Sequence, residues 1–330
     1  MTAALVTGAT GQDGSYLCER LAAEGVQVHA LVRPSAGGTD EAGLAHLREA
    51  VPGLRTHVAD LADGDALRAV VDAVEPDEVY NLAGISSVAY SWKAPVETGV
   101  VSGIAVAALL EAAWALQERT GRTVRVVQAS SAEIFGSAEQ VPQDESTPIR
   151  PVTPYGAAKA YAHHMVGVYR GRGLHAATVI LYNHESPRRP ATFVTRKITQ
   201  GAARIAAGLD STLTLGSLDV LRDWGWAPDY VEAAVAALRA EAADDFVVAT
   251  GVAHSVEDFV AAAFDRAGVA DWRAHVRTDP AFVRPADAAL QLGDATRARD
   301  VLGWRPTTDF DGVVAAMVDH DLDLIARDRR

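Results

Sequence analysis

Short apolar runs that alternate with stretches of helical period constrain the fold of this chain more than any other feature. Six runs rich in apolar or β-branched residues occupy positions 3–8, 26–32, 56–60, 78–84, 124–131 and 175–183. Between most of them, apolar residues recur at helical spacing, as in residues 14–25, where Leu17, Cys18 and Leu21 share a face. Strands that alternate with helices favour a parallel sheet covered by helices. The sequence therefore predicts a doubly wound α/β fold.

A glycine-rich loop follows the first predicted strand. Residues 8–14 read GATGQDG, with Gly8, Gly11 and Gly14 three positions apart. Glycine permits a tight turn and a close backbone approach, and the helix that follows offers free N–H groups to a pyrophosphate. Ligands of doubly wound sheets bind beyond the carboxyl ends of the strands, which is where this loop lies. The loop predicts a dinucleotide-binding domain of the Rossmann type.

The end of the second predicted strand helps to choose the cofactor. NAD sites usually carry a carboxylate there for the ribose diol, whereas this chain has Arg33. A cation at this position favours the 2′-phosphate of NADP, and a solvated surface arginine is the alternative. Asp60, which follows the third strand, is placed to meet the adenine edge. We therefore predict NADP as the cofactor.

Tyr155 and Lys159 lie four positions apart and share one face of a predicted helix. An ammonium close to a phenol favours the phenolate, and we expect it to lower the phenol pKa towards the range of a general base. Ser131 and Glu133 follow the fifth strand and add a hydroxyl and a carboxylate at the edge of the same pocket. A solvated loop carboxylate is the alternative reading of Glu133 alone. Together, the four residues predict an acid/base site.

Composition excludes several classes of partner. The formal net charge of -13 argues against nucleic acid, which would require a basic stripe. The single cysteine, Cys18, cannot form an internal disulfide, and the neighbouring His163 and His164 point to different helix faces, so we predict no metal site. Residues 100–116 are apolar but interrupted by polar residues, which favours a buried helix over a membrane span. The chain opens without a charged leader, which predicts a cytoplasmic protein.

Residues 183–199, NHESPRRPATFVTRKIT, collect three arginines and a lysine in this acidic chain, which predicts a site for a small anion. This segment and the motifs above resemble the GDP-mannose 4,6-dehydratases, which are extended short-chain dehydrogenase/reductases. The resemblance covers nearly the whole chain and includes GATGQDGSYL, EVYNLAGISSVAYSW, SSAEIFG, TPYGAAKAY, LGSLDVLRDWG and FVRPAD. It implies a GDP-sugar substrate, whose diphosphate would meet the cations.

The resemblance also implies which residues bind cofactor and substrate. With the glycine loop, it implies a cofactor site of Gly8, Thr10, Gly11, Gln12, Asp13, Gly14, Arg33, Asp60, Leu61, Leu82, Ala83, Gly84, Ser86, Tyr155, Lys159, His184 and Arg189. It implies a substrate site of Ser86, Ser87, Asn183, Lys197, Arg222, Arg284 and Asp287. In that site Arg222 and Arg284 would bind the diphosphate. Asp287 stands where the family has a glutamate for the ribose diol.

The family reaction, carried over to these residues, is redox-neutral. Tyr155 would take the proton of the sugar's 4-hydroxyl while hydride leaves C4 for NADP⁺. Glu133 would then remove the C5 proton and, with Ser131 positioning the leaving hydroxyl, protonate the water that departs from C6. The reduced cofactor would return hydride to C6, giving a GDP-4-keto-6-deoxy sugar.

Three alternatives remain open. A 4-epimerase or a decarboxylase would share the fold, Tyr155 and Lys159, but an epimerase has no need of Glu133. Another nucleotide-sugar 4,6-dehydratase would use all of these residues. A non-catalytic NADP-sensing protein would keep the glycine loop without needing the tyrosine, lysine and glutamate together.

Several positions depart from the family pattern. Ile85 and Trp92 replace the usual residues near the expected sugar, and Ala132 replaces a serine between Ser131 and Glu133. For the organisation of the chain, we predict an NADP-binding domain at 1–183, to which 224–254 returns. Residues 184–330 would form mainly a smaller, interleaved substrate domain. We also predict a homodimer or homotetramer.

Overall fold

The protein is described by a computed structural model, which covers residues 2–34, 41–282, 286 and 288–329. The strands within this part are β1 (Ala3–Thr7), β2 (Gln27–Val32), β3 (Arg55–Val58), β4 (Glu78–Asn81), β5 (Arg125–Ser131), β6 (His175–Leu181), β7 (Asn183–Glu185), β8 (Leu213–Leu215), β9 (Leu221–Trp226), β10 (Asp245–Val248), β11 (Ala253–Ser255), β12 (Val276–Thr278) and β13 (Leu290–Gln291).

The α-helices of the same part are α1 (Gln12–Ala23), α2 (Glu41–Ala50), α3 (Gly64–Val74), α4 (Val88–Lys93), α5 (Pro95–Gly99), α6 (Ala105–Thr120), α7 (Pro154–Gly171), α8 (Val194–Ala206), α9 (Ala227–Arg239), α10 (Val256–Arg266), α11 (Thr296–Leu302) and α12 (Phe310–Asp328). A π-helical segment, Val100–Ile104, joins α5 to α6. Short 3₁₀ helices cover Ala132–Ile134, Trp272–Ala274 and Pro280–Phe282.

The main sheet has seven parallel strands in the order β10-β6-β5-β4-β1-β2-β3. The six strands predicted from the sequence are its first six in chain order, so the doubly wound α/β fold is confirmed. The strand order reverses between β1 and β4. The carboxyl ends of these two strands therefore border the crevice in which such sheets bind ligands.

Helices cover both faces of the main sheet. Side chains alternate between the two faces of a strand, so Leu5 of β1 packs among α3, α6 and α7, whereas Ala4 and Val6 pack among α1, α9 and α11. The predicted apolar face of α1, with Leu17 and Cys18, is buried in the second of these layers. Burial of both sheet faces explains why the strands are almost continuously apolar.

One helical stretch, Pro95–Thr120, is long and apolar enough to cross a membrane by length and composition alone. Half of its most apolar window is buried within the protein. Leu109, Leu110 and Leu116 of α6 pack in the core beside the main sheet. The prediction of a buried helix in this region is confirmed.

The chain after Asn183 builds a second layer and also returns to the first. Strands β11, β9 and β13 form a small sheet in which β7 pairs with β9, and β8 pairs with β12. Helices α8, α10 and α12 pack together around Trp224 of β9. Meanwhile α9 covers β5 and β6, and β10 extends the main sheet. The functional site lies where the two sheets meet.

Candidate functional site

A cavity of about 420 Å³ lies at the carboxyl ends of the main-sheet strands, between that sheet and β7, α8 and β9. The predicted site residues that line it are Asp13, Leu82, Gly84, Ser86, Ser87, Ser131, Glu133, Tyr155, Lys159, Asn183, His184, Arg189, Lys197 and Arg222. Residues from two regions far apart in sequence therefore share one cavity. Its volume is within the range of ordinary small-molecule sites.

The four predicted acid/base residues lie together because β5 ends beside the start of α7. Ser131 is the last residue of β5, and its Oγ accepts a hydrogen bond from the Glu133 amide at 3.3 Å. Helix α7 begins with Thr153 as its cap, since the Thr153 hydroxyl accepts a hydrogen bond from the Gly156 amide at 2.9 Å. This start places Tyr155 in the first turn of α7, facing the cavity.

The electrostatics of Tyr155 differ from our expectation. Burial raises the pKa of Tyr155 to about 12, although a hydrogen bond with Ser131 works in the opposite direction. Lys159 Nζ lies 5.8 Å from the Tyr155 ring centroid and donates to the Ala129 carbonyl oxygen at 2.8 Å. Burial also lowers the pKa of Lys159 to about 8. The expected lowering of the phenol pKa is therefore wrong for the protein alone, because desolvation outweighs the hydrogen bond with Ser131 and the charge of Arg189.

Two donors that the sequence did not reveal hold the Glu133 carboxylate. Thr153 Oγ1 donates to Oε2 at 3.4 Å, and Gln291 Nε2 donates to Oε1 at 3.2 Å. Thr153 could have been found from its position before Pro154, since a threonine there is a typical helix cap. Gln291 lies 158 positions from Glu133 in the sequence, and no local pattern marks it.

The glycine loop has the shape that a dinucleotide requires. Gly8 adopts a φ of +68°, and a Cβ on it would lie 2.9 Å from the Ala83 amide nitrogen. A Cβ on Gly14 would lie 2.1 Å from the Gly8 carbonyl oxygen, so only glycine lets α1 approach β1 this closely. Gly11 caps α1 without a side-chain hydrogen bond, which leaves N–H groups of the first turn for an anion. These residues fit a dinucleotide cofactor.

Asp13 and His184 tie β7 to the first turn of α1. The His184 Nε2 atom lies 2.9 Å from Asp13 Oδ2, and Nδ1 lies 2.7 Å from the Tyr182 carbonyl oxygen. Both partner atoms are oxygens, so the imidazole ring links Asp13 to the Tyr182 backbone through two polar contacts. Burial tends to raise the pKa of Asp13, but the charge and hydrogen bond of His184 and the charge of Arg189 bring it below its ordinary value. The linked Asp13 and His184 side chains therefore form part of the cavity wall.

Carboxylates compensate most of the cations in residues 183–199. Arg188 lies 3.0 Å from Glu19 of α1, and Arg189 Nε lies 2.7 Å from Glu185 Oε2. Arg189 also donates to the His184 carbonyl oxygen at 2.7 Å. Arg188 therefore ties the segment to α1, whereas Arg189 pairs within the segment and still lines the cavity.

The other two cations of the segment differ from each other. Arg196 is buried and forms an ion pair with Asp321 of α12 at 2.7 Å. Lys197 lines the cavity, with Nζ 4.3 Å from the ring centroid of Phe282. Among the residues that the structure describes, Lys197 takes part in no ion pair. The segment thus offers an anion fewer uncompensated charges than its sequence suggests.

Arg222 lines the cavity from β9 and is held by the backbone. One of its terminal nitrogens donates to the carbonyl oxygens of Leu221 and Ala288, each at 2.8 Å. The other two residues assigned to the diphosphate and ribose, Arg284 and Asp287, lie outside the described residues.

Several predicted cofactor residues lie outside the cavity lining, either just after strands or at the start of α1: Gly8, Thr10, Gly11, Gln12, Gly14, Arg33, Asp60, Leu61 and Ala83. Arg33 is exposed beyond β2, and Asp60, beyond β3, accepts a hydrogen bond from the Ala62 amide. Ile85 lines the cavity as expected, whereas Trp92 is exposed and is not among the described lining residues.

An apolar part of the cavity wall was not predicted. It consists of Val88, Phe193, Leu215, Val220, Trp224 and Phe282. No shared motif or spacing marks these residues in the sequence, so only the tertiary packing brings them to the cavity.

Comparisons with known proteins agree with this geometry. Residues 5–317 match the family model described as GDP-mannose 4,6 dehydratase. The chain is 45% identical to GDP-mannose 4,6 dehydratase 2 of Arabidopsis thaliana, over 99% of this chain and 88% of that protein. It is 40% identical to a GDP-mannose 4,6-dehydratase of Vibrio cholerae, over 98% of this chain and 95% of that protein. Among solved structures, a Thermus thermophilus UDP-glucose 4-epimerase in complex with NAD is similar, with a TM-score of 0.81, 28% identity and coverage of 97% and 99%.

Proposed function

The chain belongs to the GDP-mannose 4,6-dehydratase family, and we propose that it converts GDP-mannose to GDP-4-keto-6-deoxymannose. The observation that carries the proposal is the position of Glu133, which lines the same cavity as Tyr155. The two side chains are close enough that the charge of Glu133 contributes to the raised pKa of Tyr155. An epimerase acts at C4 alone and has no step for a second acid/base. A dehydratase must also move protons at C5 and C6, so a carboxylate in this place favours dehydration.

Each of the four acid/base residues has a different role in the proposed reaction. A bound nicotinamide cofactor would supply a hydride acceptor for C4 and later a hydride donor for C6. Lys159 favours the phenolate form of Tyr155, which takes the proton of the 4-hydroxyl and becomes the neutral phenol. The 4-ketone acidifies C5, so Glu133 can remove the C5 proton. Ser131 orients the 6-hydroxyl while Glu133 passes its proton to that hydroxyl, which leaves as water. C5 regains a solvent-exchangeable proton when hydride is added to C6.

We further propose that the nicotinamide cofactor is NADP rather than NAD. Arg33 supports it, because this exposed cation lies beyond β2 in the place where NAD sites usually carry a carboxylate. Protein stripped of nucleotide should bind NADP⁺ more tightly than NAD⁺, by roughly tenfold or more if Arg33 pairs with the 2′-phosphate. Calorimetry on the wild type and Arg33→Glu measures this. Equal affinities in the wild type would remove the argument for NADP.

The substrate site and the assembly are also proposals. Asn183, Lys197 and Arg222 line the cavity on the side of β7, α8 and β9, which supports their role in binding the GDP-sugar. Ser86 and Ser87 also line the cavity, which supports assigning them to the same site, whereas we assign Arg284 and Asp287 to it on the resemblance alone. Exposed apolar side chains on neighbouring helices, Ile104, Tyr161 and Val168, support a homo-oligomer, dimer or tetramer. We place the protein in the cytoplasm.

Atom tracing tests the proposed reaction. GDP-mannose deuterated at C4 should give a product lighter by one water, with the deuterium in its new C6 methyl group, because the same cofactor takes and returns the hydride. In heavy water, solvent deuterium should enter at C5. Mass spectrometry and proton NMR of the product measure both. Deuterium returned to C4 of an intact 6-hydroxy sugar would indicate an epimerase. If the protein dehydrates another nucleotide sugar but not GDP-mannose, the proposed substrate is wrong.

A further inference from the structure

Gln291 contacts the Glu133 carboxylate from a different sheet. Its Nε2 atom donates to Glu133 Oε1 at 3.2 Å, and the Gln291 side chain is buried. The cavity is lined by Glu133, whereas Gln291 is not among its described lining residues. Gln291 can therefore act on the reaction only through Glu133.

The backbone of Gln291 is fixed by the strand that carries Arg222. Strand β13 pairs in parallel with β9, with Leu290 opposite Leu221 and Gln291 opposite Arg222. The Arg222 guanidinium also donates to the Ala288 carbonyl oxygen, just before β13. An amide on this strand thus approaches Glu133 from a rigid support, which is what precise orientation of a reacting group requires.

The two donors on Glu133 are neutral. Gln291 binds one carboxylate oxygen and the Thr153 hydroxyl binds the other, while the Glu133 amide donates to Ser131. A guanidinium or ammonium in the same place would hold the carboxylate in its ionised form. Amide and hydroxyl donors fix its orientation and still let it take up a proton. This environment suits a group that must both accept and return a proton.

We propose that Gln291 is a positioning residue for the elimination step, which holds the Glu133 carboxylate in the orientation that removes the C5 proton and protonates the leaving hydroxyl at C6. The inference rests on the proposed function, because it requires Glu133 to act after the sugar is oxidised. The proposed role separates two stages of one turnover, the oxidation at C4 and the elimination of water. Oxidation at C4 depends on Tyr155, and elimination depends on Glu133 and its support.

The test is a single turnover of GDP-mannose by the cofactor-loaded Gln291→Met protein. Methionine keeps the length of the side chain and removes the donor. Oxidation, followed by the absorbance of the reduced nicotinamide, should stay within about twofold of the wild type, whereas formation of the 6-deoxy product should slow by roughly ten- to a hundredfold. Reduced cofactor should therefore accumulate, and KM should change little.

Gln143→Met is the matched control. Gln143 is also buried, accepts a hydrogen bond from the Tyr182 hydroxyl and pairs its backbone with the segment after β13 through Leu292 and Asp294. Its replacement disturbs the same region without removing a donor from Glu133. The control should lower the thermal unfolding midpoint but leave the ratio of oxidation to elimination unchanged.

Two results would overturn the proposal: equal slowing of oxidation and elimination in Gln291→Met, or no change in either. If the methionine variant does not fold, Gln291→Glu keeps the side-chain length and places a second carboxylate against Glu133. It should block elimination at least as strongly, and normal elimination in it would equally refute the role. Failure of the wild type to oxidise GDP-mannose is a separate outcome, which refutes the proposed function itself.

Discussion

At the scale of single residues, burial decides the chemistry of this site more than the spacing of charges does. Tyr155 and Lys159 lie on one helical face, yet desolvation raises the pKa of the phenol to about 12 and lowers that of the ammonium to about 8. Both shifts favour the uncharged forms. The protein therefore holds a neutral tyrosine until substrate and cofactor bring further charge to the cavity.

The depressed pKa of Lys159 predicts a pH-dependent stability. The folded state releases this proton near pH 8, whereas the unfolded state keeps it up to about pH 10.5. Between these values the unfolded state binds more protons, so the penalty for the buried ammonium, complete below pH 8, disappears as the pH rises. Relative to Lys159→Met, the wild type should gain about 2–3 kcal/mol in free energy of unfolding between about pH 7 and about pH 10.

Urea denaturation at several pH values measures this difference. Lys93 is exposed, so Lys93→Met provides a control that should show no such trend. A stability difference between wild type and Lys159→Met that stays constant with pH would contradict the assignment of a depressed pKa to Lys159.

At the scale of elements, the cation-rich segment 183–199 serves the packing of helices as well as the cavity. Arg196 of α8 forms its ion pair with Asp321 of α12, with 5% and 3% of the side chains exposed. Burial lowers the pKa of Arg196 and raises that of Asp321, which shows that both charges are desolvated. A buried pair of this kind adds little net stability, but loss of one partner leaves an uncompensated charge.

We expect Arg196→Met to lower the free energy of unfolding by about 3–5 kcal/mol, because it leaves the Asp321 carboxylate buried without its partner. The double variant Arg196→Met/Asp321→Leu should recover most of that loss. Chemical denaturation of both variants tests this. The exposed pair between Arg266 and Asp319, also on α12, is the control, and Arg266→Met should have a far smaller effect. A double variant as unstable as the single one would refute the argument.

At the scale of the whole molecule, the chain leaves the main sheet after β6 and returns to it. Helix α9 buries Ala233, Ala237 and Leu238 against the layer beside β5 and β6, and β10 adds Phe246 and Val248 to the edge of the sheet. The first 183 residues therefore do not contain the whole core of the dinucleotide-binding half. This supports our proposal that the domains are interleaved.

A fragment that ends at residue 183 should not fold by itself. Without α9 and β10, one face of β5 and β6 and the whole edge of β6 would be exposed, which favours aggregation. Circular dichroism during heating, together with size-exclusion chromatography, should show no cooperative transition and no monomeric species, in contrast to the full chain. Cooperative unfolding of the fragment near the midpoint of the full chain would show that residues 1–183 are an independent domain.

The sequence by itself determined the features that depend on local periodicity and local backbone geometry. Alternating apolar runs predicted the six strands that became the first six of the main sheet, and the glycine spacing predicted the loop between β1 and α1. The four-residue spacing of Tyr155 and Lys159 predicted their shared helix. Each of these follows from interactions among residues a few positions apart, which a sequence pattern records directly.

Only the tertiary structure decided which distant groups meet and how strongly water is excluded from them. The contact of Gln291 with Glu133 and the pairing of Arg196 with Asp321 join residues more than a hundred positions apart. The raised pKa of Tyr155 likewise comes from burial, which arises when the second layer closes over the ends of the main strands. Packing and desolvation are properties of the assembled core, so no local pattern in the chain could have specified them.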